Sequence, residues 1–508
     1  MDNQFQLLPL SFTFLIFIFM VFKLRMRSKT KGSPKNLPPA PWKLPLTGHL
    51  HHLLFSLPHH RLRELAKRHG PVMRLQLGEL SHVVVSSPEA AKQVLKTHDI
   101  NFANRTSLLF AEIIWYNYSD IVFAPYGDYW RQLGKVCTLE LFSAKRVQSF
   151  RSIREEQVSS LVRSIFPKTG SEINIREMLC NLSYTITLRS AFGTRCKQHV
   201  TFLSIVRKVL EAVHGFSVAD LFPSVKLLPV ISGTRAKLER FHHELDGMLE
   251  SIIEEHRVSN VKPKNGDDVT EDLVDILLKL QNHGGFEFPL TTDNIKAVIL
   301  DLLMGGTETS STTAEWAMSE IMRSPRVLEK AQAEVRRVYD RIGDVNESYL
   351  HELKYLKLVI KETLRLHPPV SLLVPRENTE RCEINGYEIP TKTKVIVNVW
   401  AIGRDSNSWN EAERFNPERF TDSSVDYKGA NFEFIPFSAG RRMCPGISYG
   451  MAVVELALAK LLYHFDWKVP IGMKNEDLDM TEAFGITVGR KRHLHLIPTP
   501  YCPPPCAQ

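Results

Sequence analysis

One cysteine in a glycine-rich loop carries the most distinctive chemistry in the chain. Pro436-Phe437-Ser438-Ala439-Gly440-Arg441-Arg442-Met443-Cys444-Pro445-Gly446 sets Cys444 between two glycines, with Arg442 two positions before it and Phe437 seven before. Glycine accepts positive φ and lets other atoms approach closely, so such a loop can press a sulfur against a flat cofactor. Ile447 to Tyr463 is rich in Ala, Leu and Val and reads as a helix. Cys444 then lies just before a helix N-terminus, where partial positive charge favours a thiolate. On a haem iron, a thiolate pushes electron density toward bound oxygen and favours O–O cleavage.

A second stretch could serve the same chemistry. Thr291 to Ser324 lacks proline and reads as one long helix, with Thr292-Asp293 as capping types at its start. Its middle carries Gly305-Gly306-Thr307-Glu308-Thr309-Ser310. Each glycine inside a helix costs roughly 1 kcal/mol relative to alanine, so the pair needs a reason. Glu308 offers an acid, and Thr309 offers a hydroxyl that both donates and accepts and can relay a proton. Further on, Glu362 and Arg365 are three apart on a helix ended by Pro368-Pro369, a spacing that lets them pair on one face.

The order Phe-x-x-Gly-x-Arg-x-Cys-x-Gly resembles the haem-ligand signature of the cytochrome P-450 family. The resemblance extends over essentially the whole chain. Trp130-Arg131, Gly-Gly-Thr-Glu-Thr, Glu362-x-x-Arg365, Pro417-Glu418-Arg419-Phe420 and the cysteine loop occur in the family's order. It implies a mainly α fold with small β-sheets, the cytochrome P-450 fold, behind a single N-terminal transmembrane helix. It implies haem b with Cys444 as axial thiolate, Phe437 and Gly440 shaping the ligand loop, and Arg442, Arg376, Arg105, Trp130 and Arg131 holding the propionates. Thr309 and Glu308 would deliver protons, and Arg419 would join Glu362 and Arg365 in a structural triad. Leu302, Gly305, Leu372, Val374, Phe484 and Ile486 are the expected substrate pocket, with the last two in the final strand region and Arg105 to Asp128 as a covering loop. Two departures stand out: Gly134 where the family commonly has a second arginine, and Ser438 where related chains have glycine, a hydroxyl that could bond near the sulfur.

Upstream, Phe5 to Phe22 is almost wholly apolar, just long enough to span a bilayer. Lys23, Arg25, Arg27, Lys29 and Lys31 follow, which orients the body to the cytosol. The flanking pattern does not fit a cleaved signal peptide. Residues 1–31 are therefore expected to be an anchor with its basic flank, 32–48 a proline-rich hinge (Leu37-Pro38-Pro39-Ala40-Pro41-Trp42-Lys43-Leu44-Pro45), and 49–508 the catalytic domain on the endoplasmic reticulum membrane. Val72 to Leu77 and His82 to Ser86 read as strands around Gly78, Val395 to Val397 as another, and Pro88 opens a helix to about Thr97.

Composition narrows the classes. A net charge of +8 over 508 residues, with no dense basic block in the body and no zinc-finger spacing, sets nucleic acid aside. Seven scattered cysteines do not form a disulfide framework. The motif wording resembles plant microsomal members that oxidise terpenoids and alkaloids. The expected activity is insertion of one oxygen atom from O2 into an apolar small molecule. Electrons would come from NADPH through the membrane-bound cytochrome P-450 reductase, since no flavin or iron–sulfur domain is fused. A terpenoid is the expected substrate; the alternatives are an alkaloid or phenolic oxidase of the same family, a haem protein that only binds a ligand, and one that rearranges an oxygenated substrate, and the last two do not need the Glu308–Thr309 pair.

Overall fold

Alternating apolar residues on either side of Gly78, which takes φ +58°, fold into an antiparallel hairpin of β1 (Val72–Leu77) and β2 (Leu80–Val85). The second strand starts two residues before the expected His82. Strand β2 pairs in parallel with β5 (Lys394–Val397), which pairs antiparallel with β4 (Arg376–Glu377) and through it with β3 (Asn104–Arg105), giving the order β1-β2-β5-β4-β3. This register sets Arg105 directly opposite Arg376. The computed structural model describes residues 36–193, 199–212, 217–261, 271–284 and 287–501. The apolar run Phe5 to Phe22 lies outside them; among the described residues no helix is long and apolar enough to cross a membrane.

The rest is mainly helical. Four helices matter most to the site: α1 (Ile175–Phe192), α2 (Thr292–Arg323), α3 (Lys354–Leu366) and α4 (Ile447–His464). Helix α2, about 48 Å long at 1.5 Å per residue, packs against the other three. Its cap is Thr291, one residue before the expected Thr292. The Thr291 hydroxyl accepts from Asn294 N at 3.2 Å, and Asn294 Oδ1 accepts from Thr291 N at 2.9 Å, a reciprocal arrangement that satisfies two otherwise orphaned donors. From Ser310 to Met322 every residue of α2 is buried, which its many hydroxyls would ordinarily oppose. They are satisfied within the helix: Thr307 Oγ1 donates to Leu303 O at 2.6 Å, Ser311 Oγ to Thr307 O at 3.0 Å and Thr313 Oγ1 to Thr309 O at 2.9 Å.

The proline-rich segment, from residue 36 on, is docked against the sheet. Pro39 O accepts from Arg74 N at 2.8 Å, and the His49 ring bonds Pro41 O at 2.9 Å. Proline's fixed φ and these bonds together fix the direction in which the chain leaves the body. The expected covering loop is largely irregular but contains a short helix, Leu109–Ile114. Just beyond it Tyr116, Asn117 and Tyr118 take φ of 49°, 55° and 60°, the left-handed region that non-glycine residues rarely occupy.

Candidate active site

The cysteine loop is held from several sides. Gly440 takes φ +71°, and a Cβ there would stand 2.1 Å from Leu95 O and 2.8 Å from Asp99 Oδ1. Only glycine fits. Asp99 in turn accepts from Arg441 N at 3.0 Å and from Arg376 at 3.2 Å. Cys444 N donates to Phe437 O at 3.0 Å. The Ser438 hydroxyl does not turn to the sulfur as its position suggested. It accepts from Arg376 at 3.3 Å, on a backbone with φ +64°. The loop's shape thus depends on backbone and counter-charge contacts that are independent of the sulfur.

Cys444 is deep in the protein, yet its side chain is open to an internal recess with about 910 Å³ of non-atom space. Phe437, Leu302, Gly305 and Thr309 share its walls, along with Phe142, Leu364 and Tyr449, which no sequence signal singled out. Burial pushes the Cys444 thiol above its usual pKa, against a smaller lowering by the Gly446 amide. Burial of the thiol thus works against the pull of the helix N-terminus.

The two helix glycines serve different neighbours. A Cβ on Gly305 would meet nothing within 4 Å, because Gly305 opens on the recess, whereas one on Gly306 would lie 3.3 Å from Thr187 Oγ1 of α1. One glycine clears the cavity and the other lets two helices approach. Thr309 faces the recess with its hydroxyl donating back to Gly305 O at 2.6 Å. Glu308 lies on the neighbouring face, 3.5 Å from Arg176 and hydrogen-bonded to Thr487. Burial raises its pKa and Arg176 partly offsets this. The structure therefore brings Thr309, but not Glu308, to the wall beside Cys444.

Behind the recess three guanidinium groups converge. Arg442 donates to Ala103 O at 2.8 Å, to Ile121 O at 3.1 Å and to Ala124 O. Arg105 donates to Val122 O at 2.9 Å and Val374 O at 2.7 Å, and Arg376 to Ala439 O at 2.9 Å. Burial lowers the pKa of all three, with Arg442 at about 9 and Arg376 at about 10; Arg105 is lowered further by Arg376 and Arg442, and Arg442 by Arg376. Like charges set directly opposite across a sheet repel. Asp99 and Asp120 are the acids that offset them. Trp130 supports the cluster: the Arg442 guanidinium lies 4.2 Å from its ring centroid, and its indole N–H donates to Ile121 O at 2.9 Å. Arg131 does not join. It is exposed and pairs with Asp128 one turn away, which corrects its expected place among the propionate contacts. At Gly134 a Cβ would make only ordinary contacts, 3.6 Å from Ile121.

An apolar slot, a sulfur open to it and a surplus of buried positive charge at its margin form a donor set suited to a flat dianion with a thiolate-seeking metal. Haem carrying two propionates fits these residues.

Behind the site, Glu362 and Arg365 are wholly buried and bidentate, at 2.7 and 2.8 Å, and Arg419 reaches Glu362 at 2.9 Å. The remaining pocket candidates separate from Leu302 and Gly305. Leu372, Val374, Phe484 and Ile486 line a second, strongly apolar cavity of about 790 Å³ of non-atom space, with Leu108, Phe110 and Phe123 of the covering loop. Phe484 and Ile486 are not in a strand: they form the connection between Glu482–Ala483 and Gly489–Arg490, which pair antiparallel.

Comparison with known proteins agrees with this geometry. The Cytochrome P450 family model matches residues 38–497. The chain is 54% identical over 501 residues to premnaspirodiene oxygenase of Hyoscyamus muticus, covering 98% of this chain and 99% of that one. It is 51% identical over 503 residues to 5-epiaristolochene 1,3-dihydroxylase of Nicotiana tabacum, covering 98% and 99%. Among solved structures, a zebra fish cytochrome P450 with progesterone superposes with a TM-score of 0.75 at 24% identity, over 88% of this chain and 100% of that chain, which shows the fold. The chain belongs to the cytochrome P450 family of monooxygenases.

Proposed function

We propose that the protein is a haem-thiolate monooxygenase that inserts one oxygen atom from O2 into a plant terpenoid, with electrons from NADPH through cytochrome P-450 reductase. The observation that carries this reading is the shared wall of Cys444 and Thr309. A sulfur and a proton-relaying hydroxyl line one largely apolar recess. Bound haem supplies the oxygen-splitting chemistry that no amino-acid side chain offers. Cys444 gives the sulfur ligand, and Arg105, Arg376 and Arg442 with Trp130 hold the propionates. Thr309 Oγ1 accepts a proton and passes one to an oxygen in the recess. Glu308, whose pKa burial raises, is a proton source one face away. The apolar walls favour a terpenoid, as do the names of the relatives, an oxygenase and a dihydroxylase.

Reconstitution with reductase, NADPH, O2 and a terpenoid panel tests this, read by mass spectrometry. The parent should form products one oxygen heavier, and Thr309→Ala should retain haem while losing about 10²-fold in product per NADPH, the remainder appearing as peroxide. Equal coupling in the two would remove Thr309 from the relay.

The protein is also proposed to sit on the endoplasmic reticulum membrane, catalytic domain to the cytosol. The support is the apolar run Phe5 to Phe22 with its basic flank and the docked hinge that would fix the body's orientation. A chain lacking residues 1–33 should shift from the membrane pellet to the soluble fraction; pelleting as complete as the full chain would refute the anchor.

A further inference from the structure

The second cavity is apolar on nearly every side. Among the described residues, only His59, Thr106 and Ser371 bring a side-chain nitrogen or oxygen to its wall. Ser371 Oγ donates to Pro368 O at 3.1 Å. The other two are left over: His59 Nδ1 and Thr106 Oγ1 are buried and meet no hydrogen-bond partner, in residues 0% and 5% exposed. Orphaned polar atoms this deep in a dry wall are costly, and the cavity beside them is where a partner can sit. His59, in the first turn of the helix Pro58–His69, is held firmly. Its Nε2 lies 2.7 Å from Glu482 Oε2, its carbonyl accepts from Asn398 Nδ2 at 2.8 Å, and its ring packs edge-on against Trp400 at 5.2 Å between centroids. Trp400 Nε1 also donates to Glu482, at 3.1 Å. A side chain already fixed in this way loses little freedom on binding. The second cavity adjoins the recess: Val122 and Pro369 line the recess, and their chain neighbours Phe123 and Val370 line the second cavity. A terpenoid with one end in the recess has its other end at this wall.

We propose that His59 and Thr106 bind a hydroxyl group of the substrate, so that the enzyme takes a terpenoid alcohol and holds its oxygen in the second cavity, away from the carbon attacked in the recess beside Cys444. This rests on the monooxygenase reading and specifies its substrate.

The position of one proton selects the ligand. Burial works to raise the Glu482 carboxyl, but the histidines around it, His367, His59 and His60, hold it well below the usual carboxylate range. Burial lowers the pKa of the His59 imidazole. The carboxylate is therefore charged, the imidazole is neutral, and its one ring proton sits on Nε2 toward Glu482. Nδ1 is left as a bare acceptor and needs a donor. A ketone, an ether or an ester has none. A carboxylate would set lone pairs against a lone pair. An ammonium would donate, but among the described residues no acid lines this cavity to offset its charge. A hydroxyl donates to Nδ1 and accepts from the Thr106 hydroxyl, so one neutral group serves both atoms. The reaction that supplies such a substrate is one that installs a hydroxyl on a terpene skeleton, either an earlier oxygenation or a cyclisation ended by water.

The test uses the full-length haem-loaded protein and three matched sets: menthane, menthol and menthone; bornane, borneol and camphor; abietadiene, abietadienol and abietadienal. Affinity is measured by equilibrium dialysis. In at least one set the alcohol should bind about tenfold or more tightly than both the hydrocarbon and the carbonyl compound, the equivalent of one or two hydrogen bonds in a dry site. Thr106→Val, which keeps the shape, and His59→Phe, which keeps the ring, should each reduce that preference to about threefold or less. His59→Asn, whose amide offers an oxygen near the place of Nδ1, should be intermediate. Thr106→Val leaves the Glu482 contacts in place and decides the matter alone if His59→Phe misfolds. No preference for the alcohol in any set, equal preference for alcohol and carbonyl, or a preference untouched by Thr106→Val and His59→Phe overturns the proposal. So does a lowered Tm of Thr106→Val with selectivity intact, which would mean two atoms satisfied by structural water. Haem content and NADPH-dependent oxygen insertion, measured on the same preparations, report separately on the monooxygenase reading.

Discussion

Cys444→Ala is expected to abolish the red-shifted Soret band of the ferrous carbonyl form and all NADPH-dependent product, while the polypeptide folds as before. Both halves of this expectation come from the same geometry. The loss is total because, among the described residues, Cys137 alone shares the wall of the recess with Cys444, and burial pushes the Cys137 thiol far above its usual pKa, which suits an inert core residue. The fold persists because the sulfur holds up nothing. Gly440, Asp99, Arg376 and the backbone bond from Cys444 N to Phe437 O shape the loop, and alanine keeps all of them. Removing one polarizable atom that faces a cavity falls among changes within about 0.5 kcal/mol. Circular dichroism and the unfolding midpoint of the haem-free forms should therefore coincide for parent and variant. An unaltered carbonyl band in Cys444→Ala would refute the ligand assignment, and a haem-free variant that fails to fold would refute the account of what shapes the loop.

Much of this was legible from residue order because it depends on local rules. Gly440 announces a backbone that no other residue can follow. The proline-free run from Thr291 announces a long helix, and the three-residue spacing of Glu362 and Arg365 announces a pair. What the order could not show is what distant segments add. Asp99, the counter-charge to Arg376 and Arg441, lies hundreds of residues from the loop it fastens, and nothing around it marks it. Arg131 looked equivalent to its neighbour Trp130, but adjacent helical residues point different ways: the tryptophan goes in and the arginine goes out to Asp128. Glu308 and Thr309 divide for the same reason. Ser438 was read toward the nearest interesting atom in sequence, whereas its left-handed φ sends the hydroxyl to Arg376. Asp301, which also lines the recess, could have been found. It stands four residues before Gly305, so a helical reading that places Gly305 on the cavity face places Asp301 there too. The partition into two cavities was beyond sequence, since single residues do not report which void they border.

The second large effect is expected at Arg365, and it separates charge from shape. Arg365 does more than neutralise Glu362. Its guanidinium also donates to Gly403 O at 2.5 Å, Ala412 O at 2.7 Å and Arg414 O at 3.2 Å, so one side chain gathers a carboxylate and three carbonyls in the dry interior. It also lies 5.3 Å from the Trp409 ring centroid, and Trp409 stands 6.3 Å from Phe434 just ahead of the cysteine loop. Arg365→Met leaves Glu362 paired with Arg419 alone and strips the three carbonyls. Breaking a buried pair costs about 3–5 kcal/mol, and each orphaned acceptor adds about 1–3, enough to exceed the roughly 5–15 kcal/mol of an ordinary fold. Arg365→Lys restores the charge but not the planar fork, so it should recover little. Arg419→Lys should be milder, because Arg419 lies nearer the surface and Glu362 keeps its two bonds to Arg365. The expected order of folded, haem-containing protein is parent, Arg419→Lys, Arg365→Lys, then Arg365→Met, read from soluble yield, haem per chain and urea midpoint. If Arg365→Lys matched the parent, charge alone would hold this corner together, and the directional bonds from Arg365 to the 403–414 segment would not be what keeps the cysteine loop in register.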